Sequence, residues 1–263
     1  MEEQLIDAHV HCFPDHLARR AVGSVAMAAG AGGDGTLAGE RLRQKEYGIS
    51  KSVLLHMASR PDTMGAVNRF ALDSRGEGIC ALGSVHPFAP DALEVVERLH
   101  ALGVPGVKFH TGHQKFDFDD DRCRPLYRRI GALGMATVIH CGSSVRSPDC
   151  WVWPETVARV ADCFQGAPLV CAHMGGGALD EKQMALLCSL PVYVDTALMA
   201  ERMSLEEFSR RVRRIGPSRV LFGTDAPWGR TGDAIRLVQE AELTGEERRA
   251  IFCGNARRVF RID

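Results

Sequence analysis

The sequence predicts an α/β fold, a (β/α)8 TIM barrel formed by a single domain over residues 1–263. Three observations predict it. Eight short apolar runs are spread along the chain, amphipathic helical stretches separate them, and polar residues close several of the runs. Strand–helix repetition of this kind builds parallel strands joined by right-handed crossovers. Eight such units in 263 residues is the usual size of this barrel. An open doubly wound sheet is the alternative, but no glycine-rich phosphate turn follows the first run, and the polar residues recur at more than two strand ends.

The predicted strands, in order, are Leu5–His11, Ser52–Met57, Ile79–His86, Gly106–His110, Ala136–Cys141, Pro168–His173, Val192–Thr196 and Arg219–Asp225. Helices are predicted near 61–75, 90–102, 122–133, 154–164, 178–189, 203–215 and 232–241, with others before the second strand and near 245–260. Ser204 with Glu207 and Thr244 with Glu247 have capping-box spacing, and Asp91 with Glu94 is a weaker case. Pro154 suits a first helical position, where its missing N–H costs nothing. Gly134 is placed to close a helix in the left-handed conformation. The Gly/Ala-rich segment Val22–Gly39 reads as a mobile connection, and its glycines suggest a lid that excludes water on closing.

Acidic and basic side chains nearly cancel, giving a net charge of -1, which argues against broad electrostatic binding to nucleic acid or membrane. Arg210-Arg211 and Arg213-Arg214 read as an exposed helix face. Nine cysteines lack a CxxC pair or disulfide spacing, and Cys80, Cys141 and Cys171 fall in apolar runs as small hydrophobes. This suits a reducing, cytoplasmic setting. The N-terminus has no secretory pattern, and no stretch is long and apolar enough to span a bilayer, so the expectation is a soluble protein.

Chemistry begins in Asp7-Ala8-His9-Val10-His11. Residues two apart on a strand share a face, so His9 and His11 point to one side and could hold one ion. His140, His173 and Asp225 each close another predicted strand. A buried imidazole or carboxylate needs a partner, and convergence at one barrel mouth would supply it through a metal. Neutral imidazole and carboxylate suit Zn2+ and related first-row ions.

Asp7-Ala8-His9-Val10-His11, Gly106-Val107-Lys108-Phe109-His110, Val138-Ile139-His140-Cys141-Gly142, Ala172-His173-Met174-Gly175-Gly176 and Gly223-Thr224-Asp225-Ala226-Pro227-Trp228 run in the order seen in the amidohydrolase 2 family, as does the closing Gly254-Asn255-Ala256-Arg257-Arg258. The sequence resembles that family, which includes aminocarboxymuconate-semialdehyde decarboxylase, over nearly its whole length. The resemblance implies one divalent ion held by His9, His11, His140 and Asp225, with zinc expected first and manganese or another first-row ion as the alternative. It implies His173 and Asp225 as catalytic residues, with His173 beside the metal. It also carries the expectation of a small-molecule substrate and a homodimer.

Lys108 and His110 share a face of the fourth strand and are read as substrate contacts, with a second metal as the minority reading. Arg146, Trp151, Trp228 and Arg230 fall in the loops after strands five and eight, where aromatic walls and a guanidinium would suit a planar acid. Trp153 shares the first of these loops, the role of Gln114 is open, and His56, His86 and His113 are read as packed or exposed. Asp117, Asp119, Asp120 and Asp121 are explained by a helix start. The leading expectation is hydrolysis of a carboxylate-bearing ester, lactone or amide. Non-oxidative decarboxylation of an aromatic or muconate-type acid is the rival, and a non-catalytic ligand-binding barrel the remote one.

Overall fold

In a computed structural model the eight predicted strands form one sheet of eight parallel strands, a nearly closed barrel with alternating helices. The structure describes residues 4–24, 32–144 and 147–263, and the side chains of 143–150 lie outside that description. The strands are β1 (Leu5–Val10), β2 (Ile49–Leu55), β3 (Ile79–Ser84), β4 (Gly106–Phe109), β5 (Ala136–Ile139), β6 (Gly142–Ser144), β7 (Ser147–Val152), β8 (Leu169–Cys171), β9 (Tyr193–Asp195) and β10 (Val220–Leu221). The barrel order is β1-β2-β3-β4-β5-β8-β9-β10, and β6 and β7 form a separate antiparallel pair. That hairpin was not anticipated, since the sequence after the fifth strand reads as a loop.

The strands end short of the predicted carboxyl ends, so that His11, His110, His140, His173 and Asp225 stand just beyond them. Asp225 and His173 adopt positive φ of 63° and 58°, a conformation that costs a non-glycine residue energy and is often found where a side chain must be aimed.

Two compact units make up the chain: Met1–Leu55, Ser74–Cys80 and Asp195–Asp263 form the first, and His56–Asp73 with Ala81–Val194 the second. In the first, β1 lies beside the β10 segment through Ala8 N–H to Phe222 O (2.8 Å) and His11 N–H to Ala226 O (2.7 Å). Buried beneath β1 is an ionic network. Arg43 pairs in two-pronged fashion with Glu40 (both 2.7 Å) and through Nη2 with Asp7 (2.9 Å). Asp7 in turn accepts from the Thr224 hydroxyl (2.6 Å), the Thr224 N–H (3.0 Å) and the His9 N–H (3.2 Å). Burial pushes the Glu40 carboxyl up despite Arg43, whereas Asp7 and Glu40 outweigh burial and hold the Arg43 guanidinium above its ordinary value. The closing Asn255 is also structural: its buried amide donates to Pro217 O (2.8 Å) and Val220 O (2.6 Å), fixing the start of β10.

In the second unit, β4, β5 and β8 pair in parallel register, with Lys108 opposite Val138 and Ile139 opposite Cys171. Gln114 sits on a short helix, Thr111–Gln114, and is almost wholly buried. Its side-chain amide donates to Ala58 O (3.1 Å) and Val85 O (2.9 Å), and its oxygen accepts from His110 N–H (3.0 Å). Gln114 therefore ties together the segments that follow β2, β3 and β4.

Helix ends follow the predicted chemistry in most places. Ser204 and Thr244 accept from the N–H groups of Glu207 and Glu247, Pro154 opens its helix, and Gly134 closes one at φ 63°. Three expectations are corrected and a fourth is extended. The Asp91 side chain makes no cap hydrogen bond; its helix begins without one. Val22 and Gly23 close the helix Asp15–Gly23, and Leu37–Gly39 open the helix Leu37–Tyr47, so the segment read as a connection is helical at both ends. Its residues 25–31 lie outside the described residues. Arg211 is buried and held by Glu207, unlike exposed Arg210, because the helix Leu205–Ile215 turns it toward Phe208, Val212 and Ile215 on its apolar side. The acidic residues before the helix Arg124–Ala132 are paired as well as placed: Asp120 caps a turn and grips Arg122, Asp121 grips Arg124, and Asp119 grips Arg159. Eight cysteines among the described residues are free thiols, with Cys80, Cys141 and Cys171 buried as expected. Among the described residues no helix is long and apolar enough to cross a membrane.

Candidate metal centre and active site

The first unit gathers His9, His11 and Asp225. The alternation of β1 puts both imidazoles on one side, and the peptide of Asp225 is tied to β1 by its N–H to His9 O (2.9 Å). Asp225 Oδ1 lies 3.2 Å from His9 Nε2 and 3.0 Å from His11 Nε2, and the two Nε2 atoms are 3.2 Å apart. Three donor atoms thus meet almost as an equilateral triangle. Ligands about 2.1 Å from one ion, at angles of about 90–105°, would lie about 3.0–3.3 Å apart, so this donor set fits a first-row divalent cation. Burial would raise the Asp225 carboxyl, but the charges and hydrogen bonds of His9 and His11 outweigh it and hold the group well below the usual carboxylate range. His9 and Asp225 belong to a buried His/Asp group whose ligand atoms are close enough to share an ion.

One member of this constellation was missed in the sequence. Asp195, at the end of β9, lies 2.8 Å from His9 Nδ1 through its Oδ2. It closes an apolar strand just as Asp225 does, and the same criterion applied to the seventh strand would have found it. Trp228 packs its ring 5.1 Å from that of His11 and donates its Nε1–H to Val22 O (3.2 Å). It forms a wall beside the second imidazole. Arg230 is two-thirds exposed; its backbone N–H donates to Glu201 (2.7 Å), and its guanidinium lies 3.8 Å from Asp233 on its own helix.

The second unit gathers Lys108, His110, His113, His140 and His173. His110 and His140 stack face to face, 4.0 Å apart and 7° from parallel, and His140 Nδ1 lies 3.1 Å from His173 Nε2. His113 meets His110 edge-on at 4.3 Å. Lys108 is buried on β4. Burial above all, followed by the positive charges of His140, His113, Lys108 and His173, drives the His110 pKa well below its ordinary value. His86, read as packed or exposed, is packed: Nε2–H donates to Gln114 O (2.9 Å) and Nδ1 accepts from Phe88 N–H (3.3 Å), and burial lowers its pKa despite the carbonyl. His56 is buried edge-on against Phe70. Trp151 is 40% exposed and stacks on Trp153 at 5.2 Å. Arg146 lies outside the described residues.

The family model for amidohydrolases (Amidohydro_2) matches residues 6–262. The chain belongs to the amidohydrolase family. This amidohydrolase has the fold of several solved structures. The 5-carboxyvanillate decarboxylase of Sphingomonas paucimobilis is 18% identical, with a TM-score of 0.75 and 100% of each chain covered. A dihydroxybenzoic acid decarboxylase from Polaromonas sp. JS666, solved with bound manganese and the inhibitor 2-nitroresorcinol, is 15% identical at a TM-score of 0.72, covering 98% of this chain and 97% of that one. A candidate 2-pyrone-4,6-dicarboxylic acid hydrolase from Pseudomonas putida is 21% identical at a TM-score of 0.71, covering 99% and 98%. No match was found among curated proteins.

Proposed function

We propose that this amidohydrolase is a metal-dependent, non-oxidative decarboxylase of an aromatic or muconate-type acid, acting as one domain over residues 1–263. The observation that carries the metal dependence is the His9–His11–Asp225 triangle, with its three donor atoms 3.0–3.2 Å apart. His140 is proposed as the further protein ligand, as the family resemblance implies. The ion is proposed to be a first-row divalent cation, with manganese favoured over the zinc expected first because the Polaromonas decarboxylase binds it. Decarboxylation is preferred over the hydrolysis expected first because the Sphingomonas and Polaromonas proteins are both decarboxylases.

When bound, the ion would supply a fixed positive charge that polarises substrate oxygen. Lys108 and His110 are proposed to orient an acid substrate, the former by charge and the latter by hydrogen bonding. Trp228 and Trp151 are proposed as aromatic walls, and Arg146 and Arg230 as further substrate contacts. The reaction breaks one C–C bond. CO2 leaves with no change of oxidation state supplied from outside, and the carbon that carried it takes a proton. His173 and Asp225 are proposed to hold and deliver that proton.

The expected result with manganese-loaded protein is release of CO2 from a hydroxybenzoate or carboxyvanillate, with the ring retained and neither oxygen nor nicotinamide consumed. Mass spectrometry of the product and a CO2 assay read both. Ring opening of a 2-pyrone or lactone without CO2 would instead establish the second reading, hydrolysis, which the Pseudomonas putida relative favours.

A further inference from the structure

We infer that Asp195 is the positioning residue that holds His9 in its metal-binding orientation. The inference rests on the proposed metal centre and adds a residue to it. His9 Nδ1 and Asp195 Oδ2 are 2.8 Å apart, and each side chain is only 1% exposed, so solvent does not compete for the pair. An ionised carboxylate can only accept. With an ion bound, the proton between them would sit on His9 Nδ1, leaving for the ion the lone pair of Nε2, the atom that faces His11 Nε2 and Asp225 Oδ1. A carboxylate on the remote nitrogen also makes the imidazole a more basic ligand.

Asp195 is itself built in. Its Oδ1 accepts from Ala197 N–H at 3.2 Å, which fixes the rotation of the carboxylate. The next residue, Thr196, donates its hydroxyl to Gly223 O (2.9 Å) and accepts from Gly223 N–H (3.0 Å), clamping the end of β9 to the segment that leads from β10 into Asp225. Gly223 also leaves the space that the pair occupies. A Cβ on it would come within 2.9 Å of His9 Cβ and 3.5 Å of Asp195 Cβ. Aspartate, threonine and glycine thus cooperate to place one imidazole nitrogen.

The test compares zinc affinity, measured by competition with a chromophoric chelator, for the wild type, Asp195→Asn and Asp195→Ala, with unfolding midpoints of the metal-free proteins as controls. Asparagine keeps an acceptor for Nδ1–H but not the charge, and alanine removes both. We expect zinc affinity to fall by about 10–100-fold in Asp195→Ala and by less in Asp195→Asn. A structural role alone would not move a second readout. In the zinc-loaded wild type labelled with 15N-histidine, His9 gives a downfield Nδ1–H proton protected from exchange. It is identified by its loss in His9→Gln, and it should persist in Asp195→Asn and vanish in Asp195→Ala. Equal zinc affinity across the three proteins, or an unchanged His9 resonance in Asp195→Ala, would overturn the inference and leave the metal centre standing. A folded wild type that binds neither zinc nor manganese would overturn the metal centre and the inference with it.

Discussion

Asp225→Asn is expected to cut CO2 release by at least about 10^3-fold while leaving the fold intact. Asparagine has nearly the shape of aspartate, so the packing around the segment after β10 survives. What is lost is the charge. Asp225 Oδ1 is the point shared by His9 Nε2 and His11 Nε2, at 3.2 and 3.0 Å. A neutral amide there weakens cation binding, and it also removes a group proposed to move a proton in the reaction. Contributions of about 10^2–10^4-fold are usual for general acid–base groups alone, and loss of the ion's polarising charge adds to that. Steady-state turnover at saturating manganese checks the prediction, with circular dichroism to confirm the fold. A variant within about tenfold of wild type would remove Asp225 from the chemistry.

Arg43→Leu is expected to destabilise the protein by about 3–5 kcal/mol, although Arg43 touches none of the proposed metal ligands' side chains. The reason is what it leaves behind. Asp7 is wholly buried and Glu40 nearly so, and Arg43 is the cation between them. Removing one partner of a buried ionic cluster strands an uncompensated charge, which costs more than the pair itself contributes. With a total stability of about 5–15 kcal/mol, such a loss brings the protein near its folding threshold. Arg43→Lys keeps the charge but not the two-pronged grip on Glu40, and should lose roughly half as much. Urea unfolding midpoints read both variants. A loss below about 1 kcal/mol in Arg43→Leu would contradict this account of the network. The consequence reaches the site because Asp7 holds the N–H groups of His9 and Thr224.

The eight strands were legible because each is a short apolar run ended by a polar residue, and those endings also supplied the candidate site residues. His9 and His11 were singled out by strand alternation, and His140, His173 and Asp225 by their place at strand ends, as candidates whose roles are the proposal above. The exact ends were not legible, because the apolar run continues into the polar residue while the backbone turns, as the positive φ of His173 and Asp225 shows. The hairpin of β6 and β7 was hidden in a segment of mixed polarity, where no period of two stands out from Gly142 to Val152. Asp195 was within reach of the criterion that found Asp225. Arg43 was not: its partners Asp7 and Thr224 lie 36 and 181 residues away, and nothing local in Glu40–Arg43 distinguishes a buried ionic cluster from an ordinary helix-surface pair. Gln114 likewise takes its meaning from Ala58 and Val85, residues that only the fold brings to it.

The most direct measurement is anomalous diffraction near the manganese edge from manganese-loaded crystals. A single peak is predicted within bonding distance of His9 Nε2, His11 Nε2 and Asp225 Oδ1. No peak there, with the three atoms still hydrogen-bonded to one another, would contradict the metal centre on which the proposed chemistry depends.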